Sequence, residues 1–193
     1  MASMNKSNII YLPHDSLRER STKVRVVSDE IKMLIEDMKL ASLDWEASRE
    51  HEVCVGLAAV QIDKLKRVVV IRNDFDDKDN KKFDVFINPK IIKLEGEITK
   101  IFEGCLSVRD IYGKVPRYSK VRVAAMDEEG REIRIRAEGF LARVFQHEVD
   151  HINGKLFVDH IKDNPKAFFK LGSTGKIEEL SDEERKAIFS ILW

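Results

Sequence analysis

The sequence of 193 residues predicts an α+β fold in which antiparallel β-sheets pack around one central α-helix. Three observations favour this fold class. Apolar residues recur at helical spacing between positions 31 and 45. Short segments rich in β-branched residues, separated by polar turns, follow between positions 54 and 136. A second helical pattern begins at position 139, after these segments, so the sheets would surround that helix.

The first helix has a recognisable start and one apolar side. Ser28 suits the N-cap, and Asp29 and Glu30 suit the first turn, where the helix dipole favours negative charge. The apolar residues that share one side of the helix are Ile31, Leu34, Ile35, Met38, Ala41 and Trp45. A stripe of this kind is typical of core packing and not of a binding face.

A polar and charged stretch, residues 43–53, joins this helix to the first expected strand. We interpret it as an inserted loop or as an extension of the helix that lies close to the functional residues described below. The stretch contains His51, but an isolated histidine in a loop is more often solvated than a metal ligand. The sequence assigns the stretch no role.

The expected strands span residues 54–59, 67–71, 83–88, 91–94, 98–102, 121–126 and 131–136. Polar turns separate several of them, and the turn at 127–130 is typical of a hairpin. Ser181 and Glu184 form a capping box that predicts a short last helix. We expect one domain over residues 1–193, ending in a helical segment at about 163–193.

The six residues that end at His151 carry the strongest chemical signal in the chain. Four residues of an α-helix advance by about 400°, so His147 and His151 lie on one side, one turn apart, and can bind the same metal ion. Glu148 lies at the edge of that side, where its carboxylate can accept a proton from water. Gly139 is the expected N-cap, and Gly154 follows the expected end of the helix. This pattern predicts a metal-binding central helix and is typical of a hydrolase.

The third ligand decides whether this motif holds a metal, because His-Glu-x-x-His also occurs by chance on solvated helices. The third histidine of the metzincin pattern is replaced here by Phe157. The remaining candidates are Asp159 and His160 downstream and Cys105 upstream. From the residues alone, the choice among these three stays open.

Three sequence blocks resemble those of the peptide deformylases. The blocks are GLAAVQ at 56–61, EGCLS at 103–107 and QHEVDH at 146–151, in the family's order and within residues 13–162. The resemblance implies that Cys105, His147 and His151 bind one divalent metal ion per chain. It implies iron(II), Fe²⁺, in the cell, and zinc, nickel or cobalt are accepted by such ligands too. Two departures are Cys54, where the family has glycine, and the longer stretch 43–53.

The resemblance also implies the reaction. A deformylase hydrolyses the N-formyl group of the N-terminal formyl-methionine of newly made polypeptides and releases formate. Glu148 would act as the base and return its proton to the leaving amine. The Leu106 backbone N–H and the Gln61 side-chain amide would stabilise negative charge on the formyl oxygen. An extended substrate would pair with the strand at Gly56, which could otherwise be only a bulge glycine.

Four apolar residues adjoin these blocks: Val55, Ile101, Phe140 and Val144. Core packing is their default interpretation. Helix geometry places Phe140 and Val144 on the side of the histidines, so we predict that the four residues line a pocket for the methionine side chain. Asp150 could bond a ligand histidine from behind or bond elsewhere, and Glu103 and Gln146 could be purely structural.

Composition agrees with a compact enzyme and argues against two other classes of function. Lysine plus arginine equals aspartate plus glutamate at 34 each, so the net charge is zero and no basic footprint for nucleic acid is present. No apolar run or basic amphipathic segment indicates a membrane. The two cysteines, Cys54 and Cys105, argue against a disulfide framework and for a reducing compartment, so we expect a cytoplasmic protein.

Two rival functions stay open on the sequence. One is a metallopeptidase of the wider His-Glu-x-x-His kind, which would cleave internal peptide bonds instead of releasing formate. The other is a non-catalytic relative that binds formyl-methionyl chain starts without hydrolysing them. The intact Glu148, Gln61 and ligand set argue against that second rival. A deformylase would act on N-formylmethionyl peptides of nascent chains, and the sequence leaves a transient contact with the ribosome open.

Overall fold

The computed structural model describes residues 4–49, 52–75, 77, 79–172 and 174–192, so His51 and part of the 43–53 stretch lie outside it. The α-helices are α1 (Asp29–Ala47), α2 (Gly139–His151) and α3 (Asp182–Leu192). The strands are β1 (Gly56–Ala58), β2 (Val68–Arg72), β3 (Phe83–Cys105), β4 (Val108–Met126), β5 (Glu132–Glu138), β6 (Phe168–Leu171) and β7 (Ile177–Glu179). The predicted α+β class is confirmed. No helix among the described residues is long and apolar enough to cross a membrane.

All the strands pair antiparallel in one connected sheet of order β1-β2-β3-β4-β6-β7, and β5 pairs with β4 as well. The longest feature is the hairpin of β3 and β4. Its tip is the tight turn of Leu106 and Ser107, which follows Cys105 and precedes Val108, the residue paired with Cys105. The hairpin therefore holds Cys105 and Leu106 at a fixed point, as a site for chemistry requires.

The first two strands have a helix on each face. Along β2, Val68 and Val70 pack into a core cluster with α1, whereas Val69 and Ile71 pack into a second cluster with α2. This alternation follows from the period of two along a strand. The predicted apolar stripe of α1 is buried in the first cluster, which confirms its assignment to the core. The second cluster joins α2 to β1, β2, β4 and β5 and fixes the helix that carries the histidines.

The two ends of α2 differ in how well the sequence predicted them. The predicted N-cap is wrong, because Glu138 occupies that position and Gly139 is the first residue of the helix. Gly139 has a φ of +58°, which glycine adopts without strain and which turns the chain from β5 into α2. The predicted stop is confirmed, because the helix ends at His151 and the Gly154 N–H donates to the His151 carbonyl at 3.0 Å.

One long strand, β3, stands where the sequence predicted three short strands and a turn at 95–97, so that prediction is wrong. The segments 83–88, 91–94 and 98–102 belong to one strand, in which register shifts fall around Pro89, Ile92 and Gly96, with a fourth between Gly104 and Cys105. Bulges of this kind absorb a proline or a glycine with φ of +77° without ending the pairing. Strand β4 likewise begins at Val108, earlier than predicted, because it pairs with β3 along most of its length.

The C-terminal segment is α-helical only at its end and has one short 3₁₀ turn, Pro165–Ala167, near its start, so the predicted helical segment at 163–193 is partly wrong. Strands β6 and β7 follow this turn, and β6 pairs with residues 111–113 of β4. These strands are four and three residues long, too short to show a period in the sequence. The predicted capping box is confirmed: Ser181 N–H donates to Glu184 at 2.8 Å, and Glu184 N–H donates to Ser181 Oγ at 3.2 Å.

Candidate metal centre

The three residues that the resemblance named as metal ligands come together at one point. Cys105 is the last residue of β3, and His147 and His151 lie one turn apart on α2. Their candidate ligand atoms all lie within 4.8 Å of one another. Cys105 Sγ is 3.2 Å from His151 Nε2, which is itself 3.2 Å from His147 Nε2. One sulfur and two imidazole nitrogens therefore converge on a common space.

The other two candidates for the third ligand are engaged elsewhere. Asp159 forms an ion pair with Arg18 at 2.7 Å and accepts a hydrogen bond from the Leu156 N–H at 2.8 Å. His160 Nε2 lies 2.7 Å from Asp150 Oδ2. The choice that the sequence left open therefore falls on Cys105.

These residues fit a divalent transition metal ion. Thiolate and imidazole are donors that such ions prefer, and three protein donors leave a position for water or substrate, as in catalytic sites. Beside the ligands, the buried Glu148 Oε2 has no hydrogen-bond partner among the described residues. A buried carboxylate oxygen is costly without a partner, so its place next to the converging donors agrees with a bound ion and its water.

Glu103 orients the His147 ring by contacting its Nδ1 atom. Its Oε2 lies 3.0 Å from His147 Nδ1, which directs Nε2 of the same ring toward Cys105 and His151. Its Oε1 accepts hydrogen bonds from Arg117 Nε at 2.9 Å and Arg143 Nη1 at 2.6 Å. Burial alone would raise the pKa of Glu103, but the hydrogen bonds from His147 and Arg117 outweigh it and hold the pKa below its usual range. Glu103 therefore stays ionised beneath the ligand.

Asp150 and Gln146 tie α2 to its surroundings. Asp150 Oδ2 accepts from Arg117 Nη1 at 2.5 Å and lies 2.7 Å from His160 Nε2, so its partner is not a ligand histidine. The Gln146 amide bonds both the N–H and the carbonyl of Tyr118, at 3.1 and 2.9 Å. The Gln146 side chain thus bonds the backbone of β4 as a neighbouring strand would. This is the structural role that was one of the two interpretations of Gln146.

Gly56 makes room for Glu148. A Cβ atom at position 56 would lie 2.7 Å from Glu148 Oε1 and 3.0 Å from its Cδ, closer than atoms of this kind approach. Burial raises the pKa of Glu148 to about 7, against the opposing charge of His147. The backbone at Gly56 therefore packs directly against the Glu148 carboxylate. The sequence did not predict this steric role for the glycine.

Gln61 and Leu106 both lie close to Cys105. Gln61 belongs to a 3₁₀ turn, Ala59–Ile62, that directly follows β1. Its Oε1 accepts from the Ala58 N–H at 2.9 Å, so its Nε2 is directed to Ser107 Oγ at 3.3 Å and Cys105 Sγ at 3.6 Å. Leu106, in the turn after Cys105, lines the same cavity as Gln61. Both proposed donors are thus next to the thiolate.

The ligand histidine His147 and Glu148 open onto a cavity of about 310 Å³. Three of the predicted pocket residues line it: Val55, Phe140 and Val144. The fourth, Ile101, does not, and 45% of its surface is exposed. Its neighbour Phe102 lines the cavity instead. The prediction that Ile101 lines the pocket is therefore wrong, since the cavity begins one residue later on β3, at Phe102.

Cys54 points away from this cavity. Its side chain is fully buried in the core cluster beneath α1, with its Sγ 3.6 Å from the Gly56 carbonyl. The next residue, Val55, lines the cavity. The alternation expected along this strand therefore places the one altered motif position in the core.

Sequence reasoning missed the roles of Arg143 and Glu103. Arg143 precedes His147 by four residues, so helical spacing alone places it on the ligand side of α2, where an arginine implies a buried carboxylate partner. Glu103 lies two positions before Cys105, so on a strand its side chain points to the same side as that of Cys105. This spacing is the sequence signal that could have identified Glu103. Arg49, Glu52, Asp110 and Tyr112 also line the cavity, and nothing in the sequence links the first two to the last two.

Comparisons with known proteins agree with this arrangement. The sequence model of the family described as Polypeptide deformylase matches residues 6–167. Peptide deformylase 1 of Pseudomonas syringae pv. tomato is 44% identical over 154 residues, which cover 80% of this chain and 86% of that protein. Peptide deformylase of Psychrobacter cryohalolentis is 40% identical over 178 residues, which cover 91% of each chain.

Solved structures are similar as well. The crystal structure of a peptide deformylase from Legionella pneumophila has a TM-score of 0.72 at 35% identity, over 98% of this chain and 93% of that chain. A peptide deformylase from Synechococcus elongatus in complex with actinonin has a TM-score of 0.71 at 34% identity, over 85% of this chain and 89% of that chain. The similarity thus extends to the sheet as well as to the three motif blocks.

Proposed function

Because the chain belongs to the polypeptide deformylase family, we infer that it is a metal-dependent hydrolase that removes the N-formyl group from the formyl-methionine of nascent polypeptides and releases formate. The observation that carries this inference is the meeting of Cys105, His147 and His151 beside the buried Glu148 on one cavity. The cavity volume falls in the range of small-ligand sites. We take the whole chain, residues 1–193, as one catalytic unit.

Cys105, His147 and His151 would hold the metal, and Glu103 would keep the His147 ring in place. When bound, the metal supplies Lewis-acid chemistry, making water acidic and polarising the formyl carbonyl. Glu148 accepts the proton of the attacking water through its free Oε2 and returns it to the amine nitrogen as the formyl C–N bond breaks. The products are formate and a free methionyl N-terminus.

Gln61 and Leu106 are the proposed donors to the formyl oxygen, on which negative charge develops. The amide of Gln61 is buried and is held at its oxygen end by the Ala58 N–H, so its N–H groups are pre-oriented beside Cys105. The Leu106 N–H belongs to the tight turn that follows the ligand. Loss of one such donor typically costs about 3 kcal/mol in the transition state.

Val55, Phe140 and Val144 would form the apolar pocket for the methionine side chain. Two of them come from α2 and one from the segment before β1, so the pocket lies between the histidine helix and the strand that carries Gly56. We propose that the substrate backbone pairs with that strand at Val55 and Gly56. An extended peptide held there presents its formyl group to Glu148.

We propose iron(II) as the metal in the cell, with zinc, nickel or cobalt able to occupy the same ligands. One thiolate and two imidazoles do not by themselves select among these ions, so availability decides. Metal analysis of protein purified without oxygen tests this proposal. Iron should predominate at about one ion per chain, and predominance of zinc under those conditions would contradict it.

We place the enzyme in the cytoplasm, where formyl-methionyl chains are made. The unpaired thiol of Cys105 supports a reducing compartment. A transient contact with the ribosome, through the C-terminal segment that ends in α3, is proposed on the ground that the substrates are nascent chains.

The Glu148→Ala variant tests the function most simply. It should bind the same amount of metal as the wild type, while formate release from formyl-Met-Ala-Ser falls by at least about a hundredfold, as expected for a lost general base. Glu138→Ala is a matched control, because Glu138 is an exposed glutamate at the start of the same helix. An undiminished rate at saturating substrate would show that another group moves the proton.

The same assay addresses the metallopeptidase and the non-catalytic relative. A metallopeptidase would release free amino acids or shorter peptides from the substrate with its formyl group intact. A non-catalytic relative would release neither product. Family membership does not favour these alternatives, and formate together with intact Met-Ala-Ser as the only products would exclude both.

A further inference from the structure

A buried ion pair lies beneath the segment that leads into β1. Glu46 is in the last turn of α1, Arg72 is the last residue of β2, and each side chain is at most 2% exposed. Arg72 Nη2 donates to Glu46 Oε2. We call Glu46 and Arg72 the buried pair. Glu46 belongs to residues 43–53, the stretch to which the sequence assigned no role, and residues 43–47 of that stretch extend α1.

The buried pair is a poor source of stability. A negative charge in the last turn of a helix opposes the helix dipole. Two charges taken out of water lose hydration that their attraction often fails to repay, and apolar residues of similar size frequently serve as well. Glu46 Oε1 and Arg72 Nε also have no hydrogen-bond partner among the described residues. The pair is therefore better explained by what it holds in place.

The buried pair holds the backbone of Cys54 and Val55. The Cys54 N–H donates to Glu46 Oε2 at 3.1 Å. The Arg72 N–H donates to the Val55 carbonyl at 2.7 Å. Because the Arg72 guanidinium bonds the same Glu46 carboxylate, these contacts form a closed ring that joins the end of α1, the end of β2 and residues 54–55.

Arg72 is itself fixed on its other side. Its Nη1 donates to the Asn80 carbonyl at 2.6 Å, and its guanidinium lies over the ring of Phe83, 5.1 Å from the centroid. The guanidinium is therefore a fixed point against which the Glu46 carboxylate is oriented toward the Cys54 N–H.

The residues that this ring restrains form part of the candidate site. Val55 lines the cavity, and a Cβ atom at Gly56 would lie 2.7 Å from Glu148 Oε1. A small shift of residues 54–56 would therefore move both the wall of the pocket and the contact with the Glu148 carboxylate. Neither Glu46 nor Arg72 is among the described residues that line the cavity, so both act through the backbone of this segment.

We propose that Glu46 and Arg72 are positioning residues for the reaction, which fix residues 54–56 so that Val55 faces the substrate and Gly56 supports Glu148. The inference rests on the proposed function, since its kinetic consequences concern formyl-methionyl peptides. The extended end of α1 supplies the carboxylate, and Arg72 orients it. The anchor itself is the hydrogen bond from the Cys54 N–H to Glu46.

Two double variants isolate this anchor. Both carry Arg72→Met, which removes the guanidinium and keeps the backbone N–H that bonds Val55. In one variant, Glu46→Gln keeps an acceptor for the Cys54 N–H, and in the other, Glu46→Leu removes it. Neither variant leaves a buried charge unpaired, so both should fold. Any difference between them reports the acceptor and not the ion pair.

We expect three differences at equal metal loading. The Cys54 amide hydrogen should exchange with solvent at least about tenfold faster in the leucine variant, because it has lost its acceptor. The kcat for formyl-Met-Ala-Ser should be about tenfold lower, because Glu148 is misplaced. The preference in kcat/KM for formyl-Met-Ala-Ser over formyl-Ala-Ala-Ser should fall by about threefold, because Val55 is no longer held against the methionine side chain.

Glu36→Leu is the matched control, because Glu36 lies on the same helix and bonds Lys39 at an exposed position. It should change none of the three quantities. Equal kcat, or equal exchange of the Cys54 amide, in the two double variants would overturn the inference. A loss of melting temperature alone, with kcat and substrate preference unchanged, would overturn it as well.

The wild type provides a test that does not depend on how the variants fold. Its Cys54 amide hydrogen should be protected from exchange as strongly as those of the buried strand β2, and an unprotected amide would overturn the inference. Failure of the proposed function is distinguishable, because the wild type would then release no formate from either peptide while exchange at Cys54 still reported the anchor.

Discussion

Gly56 leaves room for the carboxylate of Glu148, the proposed general base, because it has no side chain. Because a Cβ atom there would lie 2.7 Å from Glu148 Oε1, Gly56→Ala must displace the carboxylate or the strand. We predict that kcat for formyl-Met-Ala-Ser falls by at least about tenfold, because small misplacements of a reacting group cost this much or more. Metal content should be unchanged, since the three atoms nearest to a Cβ at position 56 all belong to Glu148. Steady-state kinetics at equal metal loading measure the effect.

A double-mutant cycle separates this steric role from a general loss of structure. Glu148→Asp withdraws the carboxylate by one methylene group, so it should cost less in kcat when Ala occupies position 56 than in the wild type. Strict additivity of the two losses would mean that Gly56 does not act through Glu148.

Glu103 is the residue on which the orientation of His147 depends. Glu103→Gln removes the charge that Arg117 and Arg143 share, so we expect metal affinity to fall by about 10- to 100-fold. The free energy of unfolding should fall by about 3 kcal/mol, because the buried Arg143 loses its counter-charge and the buried Arg117 keeps only that of Asp150. Competition with a chelator and denaturant unfolding measure the two effects. Glu95→Gln, at an exposed ion pair on the same strand, should change neither.

At the scale of elements, the segment that leads into β1 divides the core from the cavity. Cys54 is buried beneath α1, and Val55 lines the cavity on the other side. Cys54→Gly restores the family's glycine, and we predict that it changes kcat/KM by less than about tenfold, or 1.4 kcal/mol. It should lower the free energy of unfolding by about 1–2 kcal/mol through the space left in the core.

Kinetics and unfolding of the two proteins, both fully loaded with nickel, test this prediction. An increase in kcat/KM well beyond tenfold in the glycine variant would mean that Cys54 obstructs the substrate. A glycine variant as stable as the wild type would mean that the thiol contributes nothing to packing.

The elements that the sequence predicted well are those with a local signal. The stripe of α1, the stop at Gly154 and the capping box at Ser181 each depend on residues within a few positions of one another. Strand β3 was divided wrongly at Pro89 and Gly96, because a bulge and a turn use the same residues and only the pairing with β4 tells them apart. Strands β6 and β7 left no local pattern, since β6 is held by distant residues of β4.

Across the whole molecule, the sequence predicted the candidate metal ligands but not the polar residues that line the same cavity, which are Arg49, Glu52, Asp110 and Tyr112. Cys105 and His151 are 46 residues apart, and only the family's motif order linked them before the fold was known. Arg49 and Asp110, which also line the cavity, belong to no such motif: they are separated by 61 residues and meet through the packing of α1 against the sheet. Ile101 was misassigned because register across the hairpin decides which side of a strand faces the cavity.

We propose that Cys105, His147 and His151 form one metal centre at which the chain releases formate. The most direct test measures metal content and formate release from formyl-Met-Ala-Ser in oxygen-free wild type and Cys105→Ser. We predict about one metal ion per chain and formate as the product for the wild type, with both strongly reduced in the variant because a hydroxyl is a poor substitute for a thiolate ligand. Unchanged metal content and formate release in Cys105→Ser would mean that Cys105 is not a metal ligand.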